Sequence, residues 1–199
     1  MKYPENIQEA AQLQPDYLGL IFYEKSPRYF NGIVPEISKS IQKVGVFVNA
    51  PLNEILEKIK LYDLQVIQLH GNESPDFCDL LKHINVEIIK AFQVDDTFDF
   101  ETIQQYENVC DYFLFDTKGK HFGGNGTTFN WQLLENYPSQ KPYFLSGGIG
   151  IGEVSQFKDF QTTVIGKLCI AIDVNSKFEI QPGLKNTQQL KEFKNELSR

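Results

Sequence analysis

Seven short runs of apolar, β-branched and aromatic residues recur along the chain, with helical patterns between them, and that recurrence restricts the fold more than any other feature. The runs are YLGLIF (17–22), VGVFVN (44–49), VIQLHG (66–71), EIIKAFQV (87–94), YFLFDT (112–117), YFLSGG (143–148) and CIAIDV (169–174). Most carry apolar residues on both faces, as parallel strands covered by helices do. The intervening PLNEILEKIKLYD (51–63) and SPDFCDLLKHI (74–84) return apolar residues at spacings of three and four, with Pro51 or Pro75 suited to a first turn. GEVSQFKDF (152–160) reads the same way, and further helices are predicted at 3–14 and 187–198.

Strand and helix in alternation mean repeated βα units around a parallel sheet, an α/β architecture. Roughly seven strands and eight helices come within one strand of a (β/α)8 TIM barrel, a fold of at least about 200 residues. The series opens on a helix where a barrel opens on a strand, so the expectation is a single barrel domain over residues 1–199 that lacks strand 1. The strands at 17–22 and 169–174 would then flank a gap with unpaired backbone groups. Association at those edges, a segment filling the gap, or local disorder is expected; the chain itself is expected to be a monomer or homodimer.

A chain that is 41% hydrophobic and 23% charged can bury one sizeable core. A net charge of -7 without any Lys/Arg block argues against a nucleic-acid partner, yet leaves room for a small anionic ligand. Cys78, Cys110 and Cys169 are odd in number and widely spaced, which fits neither a disulfide framework nor a metal site, so no metal is expected. No signal core or membrane-length apolar run is present, and a cytoplasmic location is expected.

Barrel function sits at the C-terminal strand ends. Those positions present Arg28, Asn49, His70, Gln93, Asp116, Ser146 with Gly147 and Gly148, and Asp173 with Asn175 and Ser176. Each alone reads as a turn former, cap or loop residue; their common location is the evidence. LSGGIG ahead of a helical segment suits a phosphate, because glycine backbone N–H groups can approach it closely. Asn175 and Ser176 could cap a short helix facing the same anion, and barrels frequently bind phosphate after their last two strands. GGIGIG (147–152) is a poor dinucleotide fingerprint, since a second mononucleotide-binding half has no room downstream. GGNG (123–126) lacks the Gly-Lys-Ser/Thr of a Walker loop and reads as hinges of a loop over a ligand. His83 and His121 read as structural or exposed.

Taken in order, GLIFYEKSPRYF (19–30), VGVFVN, VIQLHG, FLFDT with GGNGTTFNW, FLSGGI and AIDVNSKFEIQPGLK (171–185) resemble the phosphoribosylanthranilate isomerases of tryptophan biosynthesis. The resemblance implies a cofactor-free Amadori rearrangement of N-(5-phosphoribosyl)anthranilate to its 1-deoxyribulose isomer. It implies that Asp116 is the general acid at the furanose oxygen and that Arg28 clamps the anthranilate carboxylate. The turns at 147–148 and 175–176 would hold the phosphate, with His70, Ser146 and Asp173 beside the substrate. For acid work Asp116 needs a proton near neutral pH, which burial or an anionic neighbour would favour.

The family's general base, a cysteine in a Lys-hydrophobic-Cys-Gly motif at the tip of the first strand, has no counterpart here. None of the three cysteines is expected at a strand tip. Either an isomerase whose first strand lies upstream of Met1, with this chain inactive or impaired, or a non-catalytic phosphosugar-binding barrel would account for that.

Overall fold

The computed structural model describes residues 1–117 and 128–198. A helix, α1 (Pro4–Ala11), leads into β1 (Tyr17–Ile21) and β2 (Gln42–Phe47), followed by α2 (Leu52–Tyr62), β3 (Val66–Leu69), α3 (Pro75–Leu81) and β4 (Glu87–Val94). Then come β5 (Tyr112–Thr117), β6 (Tyr143–Leu145), α4 (Val154–Gln161), β7 (Cys169–Ile172), the short strands β8 (Glu179–Gln181) and β9 (Leu184–Lys185), and α5 (Thr187–Ser198). Local chemistry explains several boundaries. Ser74 caps α3 by accepting a hydrogen bond from the Phe77 amide (3.2 Å), with Pro75 at the first helical position. Asp63 ends α2 in the left-handed conformation, φ 49°.

The seven long strands form one parallel sheet in sequence order, with β1 and β7 as its edges. Side chains alternate across it. Val44, Val66, Ile89, Leu114 and Phe144 pack together on the concave face, with Tyr17, Tyr112 and Ala171 against them. Their neighbours Phe47, Ile67, Ile88, Phe113, Phe115 and Leu145 belong to the larger core beneath the helices. Each such aromatic contributes about 2–3 kcal/mol by leaving water. The sheet is the (β/α)8 barrel architecture short of closure: β1 and β7 each have one strand neighbour, and both line a common cavity.

Three expectations need correction. The helix count is five α-helices among the described residues, not eight. Residues 100–106 and 131–136 form 3-10 turns, and the connection from 22 to 41 holds no helix, since Pro27, Gly32 and Pro35 interrupt it. Several strands also stop short of the predicted 49, 71, 148 and 174, because their last residues already turn into the mouth loops. The β8–β9 hairpin, too short to show periodicity, was not expected. The GGNG loop and His121 lie outside the described residues.

Candidate active site at the barrel mouth

Period-2 alternation builds the centre of the site. On β5, Tyr112 and Leu114 face inward, so Asp116 does too; on β3, inward Val66 is followed by Gln68 and then His70. Gln68 Nε2 stands 2.7 Å from His70 Nδ1, and His70 Nε2 stands 3.2 Å from Asp116 Oδ2. With the Gln68 amide donating, Nδ1 accepts and the Nε2 proton points at the carboxylate. Asp116 Oδ1 accepts from the Thr117 amide (2.9 Å). All three side chains are buried.

Asp173 enters from the end of β7, its backbone N–H bonded to the Leu145 carbonyl (2.8 Å) and its carboxylate accepting from Ser146 Oγ (3.4 Å). Burial, then the charge of Asp116, pushes its pKa up, against the opposing pull of Lys185 and His70. Two carboxylates thus stand near each other at the mouth, and burial together with the charge of Asp116 favours the protonated form of Asp173.

The two expected phosphate turns are present. Gly147 and Gly148 have positive φ, 91° and 65°. A Cβ on Gly147 would run into the Thr117 hydroxyl and backbone N, so only glycine fits. The neighbouring Gly150 amide is already bonded to Glu153 Oε2 (2.7 Å) and so does not add to an anion cradle at this turn. Ser176–Phe178 does form a short 3-10 turn, but Asn175 makes no side-chain cap. Its Oδ1 instead accepts from Lys185 Nζ (2.5 Å).

Arg28 is held at the mouth because the loop after β1 folds back: the Phe30 amide donates to the Ile21 carbonyl (2.8 Å) and the Phe30 ring is fully buried. The guanidinium is engaged by Glu179, with Nε at 2.9 and 3.0 Å from the two carboxylate oxygens and Nη2 at 2.7 Å. Burial raises the Glu179 pKa, but the Arg28 hydrogen bond and the Lys185 charge outweigh it and hold the carboxyl below its usual range. Burial lowers the pKa of Lys185, with Glu179 and Asp173 opposing.

One cavity of about 760 Å³ is lined by Arg28, His70, Asp116, Ser146, Gly147, Gly148, Asp173, Asn175 and Ser176, whereas the strand-end residues Asn49 and Gln93 do not line it. It continues down between β1 and β7 to Leu13, Phe157, Leu190 and Leu197. A second hollow of about 810 Å³ beside residues 32–43 gathers no comparable set of groups. Among the described residues no group of three or more His, Cys, Asp or Glu is arranged to hold a metal, and no helix is long and apolar enough to cross a membrane.

Three site residues escaped the sequence reading. Gln68 was recoverable, since it shares the inward parity of His70. Glu179 and Lys185 stand in a quoted motif but meet Arg28 and Asn175 only through the hairpin. Asn49 proved structural, its Oδ1 accepting from the Asn72 amide (2.7 Å), and His83 is exposed.

The family N-(5′-phosphoribosyl)anthranilate (PRA) isomerase matches residues 1–196. The chain belongs to that family. An N-(5′-phosphoribosyl)anthranilate isomerase of Parabacteroides distasonis is 41% identical, the match covering 97% of this chain and 88% of that protein. The crystal structure of phosphoribosyl anthranilate isomerase from Thermotoga maritima superposes with a TM-score of 0.85 at 29% identity, over 100% of this chain and 95% of that one. A phosphoribosyl anthranilate isomerase in complex with reduced 1-(o-carboxyphenylamino)-1-deoxyribulose 5-phosphate has a TM-score of 0.80 at 27% identity, with the same coverage. Membership in the PRA isomerase family matches the seven parallel strands and the polar mouth described above.

Proposed function

We propose that the chain carries the PRA isomerase site of tryptophan biosynthesis, with the role of each residue assigned as follows. Asp116 gives its proton to the furanose ring oxygen; the bond from that oxygen to C1′ breaks, and the anthranilate nitrogen's electron pair forms the C1′=N Schiff base. A base then removes the C2′ proton, and the resulting enolamine relaxes to the 1-deoxyribulose ketone. Arg28 takes the anthranilate carboxylate, and the turns at Gly147–Gly148 and Asn175–Ser176 take the phosphate. His70 fixes the Asp116 carboxylate, while Ser146 and Asp173 close the floor beside the sugar. The observation supporting this reading is the convergence of all these groups on one cavity. No metal or cofactor takes part, and the ligand is a small phosphorylated anion.

The base is the open position. Cys169 begins β7, at the opposite end of the strand from the mouth, Cys78 lies in α3, and Cys110 precedes β5; all three are buried. The cysteine base that the family resemblance implies would enter between β1 and β7, where the cavity reaches both sheet edges. We propose that the 199-residue chain by itself binds the phosphosugar and turns it over poorly, and that the open edges, of which β1 is already partly bonded at the Gly19 and Ile21 carbonyls, favour self-association at high concentration. Unpaired buried thiols suit a reducing, cytoplasmic compartment.

The test joins an apolar strand ending in Cys-Gly ahead of Met1 and follows conversion of N-(5′-phosphoribosyl)anthranilate. Isomerisation should appear, and Asp116→Asn in that background should lower kcat by roughly 10²–10⁴-fold with little change in KM. If the lengthened protein stays inert while binding the phosphosugar, a non-catalytic binding barrel is the better reading.

A further inference from the structure

We infer that Glu179 is a positioning residue that presents one edge of the Arg28 guanidinium to a ligand carboxylate. This rests on the proposed role of Arg28. A guanidinium has five donors in a planar fork, and its direction decides whether it meets a carboxylate in the bidentate mode. Glu179 occupies the side of that fork carrying Nε and Nη2, at 2.7–3.0 Å. Among the described residues Nη1 makes no hydrogen bond, so the end-on edge formed by Nη1 and the second Nη2 hydrogen remains for a ligand. Arg28 lines the cavity with its side chain 15% exposed, whereas the Glu179 side chain is 4% exposed. The acceptor is thus buried and the donor stands at the surface of the site.

Glu179 is itself fixed. Its Oε1 accepts from the Gly183 amide (3.0 Å) and from Lys185 Nζ (3.3 Å). Lys185 in turn donates to the backbone carbonyl (3.0 Å) and side chain (2.5 Å) of Asn175. A single carboxylate therefore links the loop after β1, the β8–β9 hairpin and the turn after β7. Charge points the same way: Glu179 stands between Arg28 and Lys185 and keeps the two cations from repelling each other. Without it Arg28 would sample several rotamers, and each encounter with a ligand would require ordering the side chain anew.

The test compares two ligands: the reduced amine analogue of the product, and its counterpart bearing aniline in place of anthranilate and so lacking the carboxylate. Glu179→Gln should weaken the carboxylated ligand by about 10- to 100-fold while shifting the other less than about threefold. Glu179→Asp, which retains the charge on a shorter arm, should show an intermediate loss on the carboxylated ligand only, and serves if the glutamine variant folds poorly. Equal losses for both ligands, or none, would overturn the inference. Arg28→Met tests the underlying reading separately. If it leaves the preference for the carboxylated ligand intact, Arg28 is not the clamp. If it abolishes the preference while both Glu179 variants retain it in full, only the positioning role fails.

Discussion

Two buried ion-pair networks flank the barrel mouth, and they differ in how many hydrogen bonds remain to be made. Lys90, pointing outward from β4, gives its ammonium to the carbonyls of Leu69 (3.1 Å), Gly71 (2.8 Å) and Ala91 (3.1 Å) and to Glu73 Oε2 (3.1 Å). Glu73 also accepts from the amides of Asn49 (2.7 Å) and Gly71 (2.9 Å), and both charged side chains are at most 3% exposed. Every donor of that ammonium is satisfied within the protein. The Arg28–Glu179–Lys185 network is built of the same chemistry, yet one edge of its guanidinium faces the cavity unengaged by the described residues. A saturated network fixes the loop after His70; an unsaturated one is equipped to receive a ligand. Burial of charge alone does not separate these cases, whereas a count of remaining donors does.

Substitutions can break that contrast. Lys90→Met should cost the most, about 3–5 kcal/mol of folding stability, because Glu73 would be left buried without its counter-charge. Chemical denaturation would read the loss, and the ligand affinity of the molecules that remain folded should hardly change. A large loss of affinity at unchanged stability would mean that the closed network also serves recognition. Arg28→Lys should reverse the pattern. It preserves the charge but not the fork, so carboxylate-bearing ligands should bind roughly 10-fold more weakly, near 1.4 kcal/mol, with a smaller shift in the denaturation midpoint. A midpoint shift larger than the binding loss would place Arg28 in the structural class with Lys90.

The smallest effect belongs to Asp173→Asn. The folded protein raises this carboxyl's pKa, so between the unfolded value and the raised one it binds more protons than the unfolded chain. Its contribution to stability is therefore complete at low pH and is lost as pH rises through that window. The asparagine variant should be the more stable at neutral pH, and the two stability curves should converge below the ordinary carboxylate range. A constant offset across all pH values would show that packing around Ser146, and not ionisation, sets the difference.

Much of the site was legible before any coordinates. Tyr112, Leu114 and Asp116 share one parity, as do Val66, Gln68 and His70, and parity plus a strand end places a polar group over the barrel floor. The glycines at 147 and 148 announced a tight turn, and at 147 the contact that a Cβ would make with Thr117 supplies the reason. Less could be read where contacts are remote. Arg28 and Glu179 are 151 positions apart, and nothing local to either announces a pair. The rough total of eight helices was too high, because alternation of elements predicts that a crossover exists but not what it is made of; the crossovers at 100–106 and 131–136 are 3-10 turns, and the stretch after β1 holds no helix.

The strict parity of β5 has an evolutionary corollary. Inserting or deleting a single residue between Tyr112 and Asp116 would exchange the inside and outside of the strand's tip, turning the carboxyl toward the helices and a phenyl ring toward the cavity. Paired changes of two residues would restore the facing at the cost of height above the floor. Length variation in this lineage should therefore collect in the connections, while the central strands keep their residue count even where their identities drift.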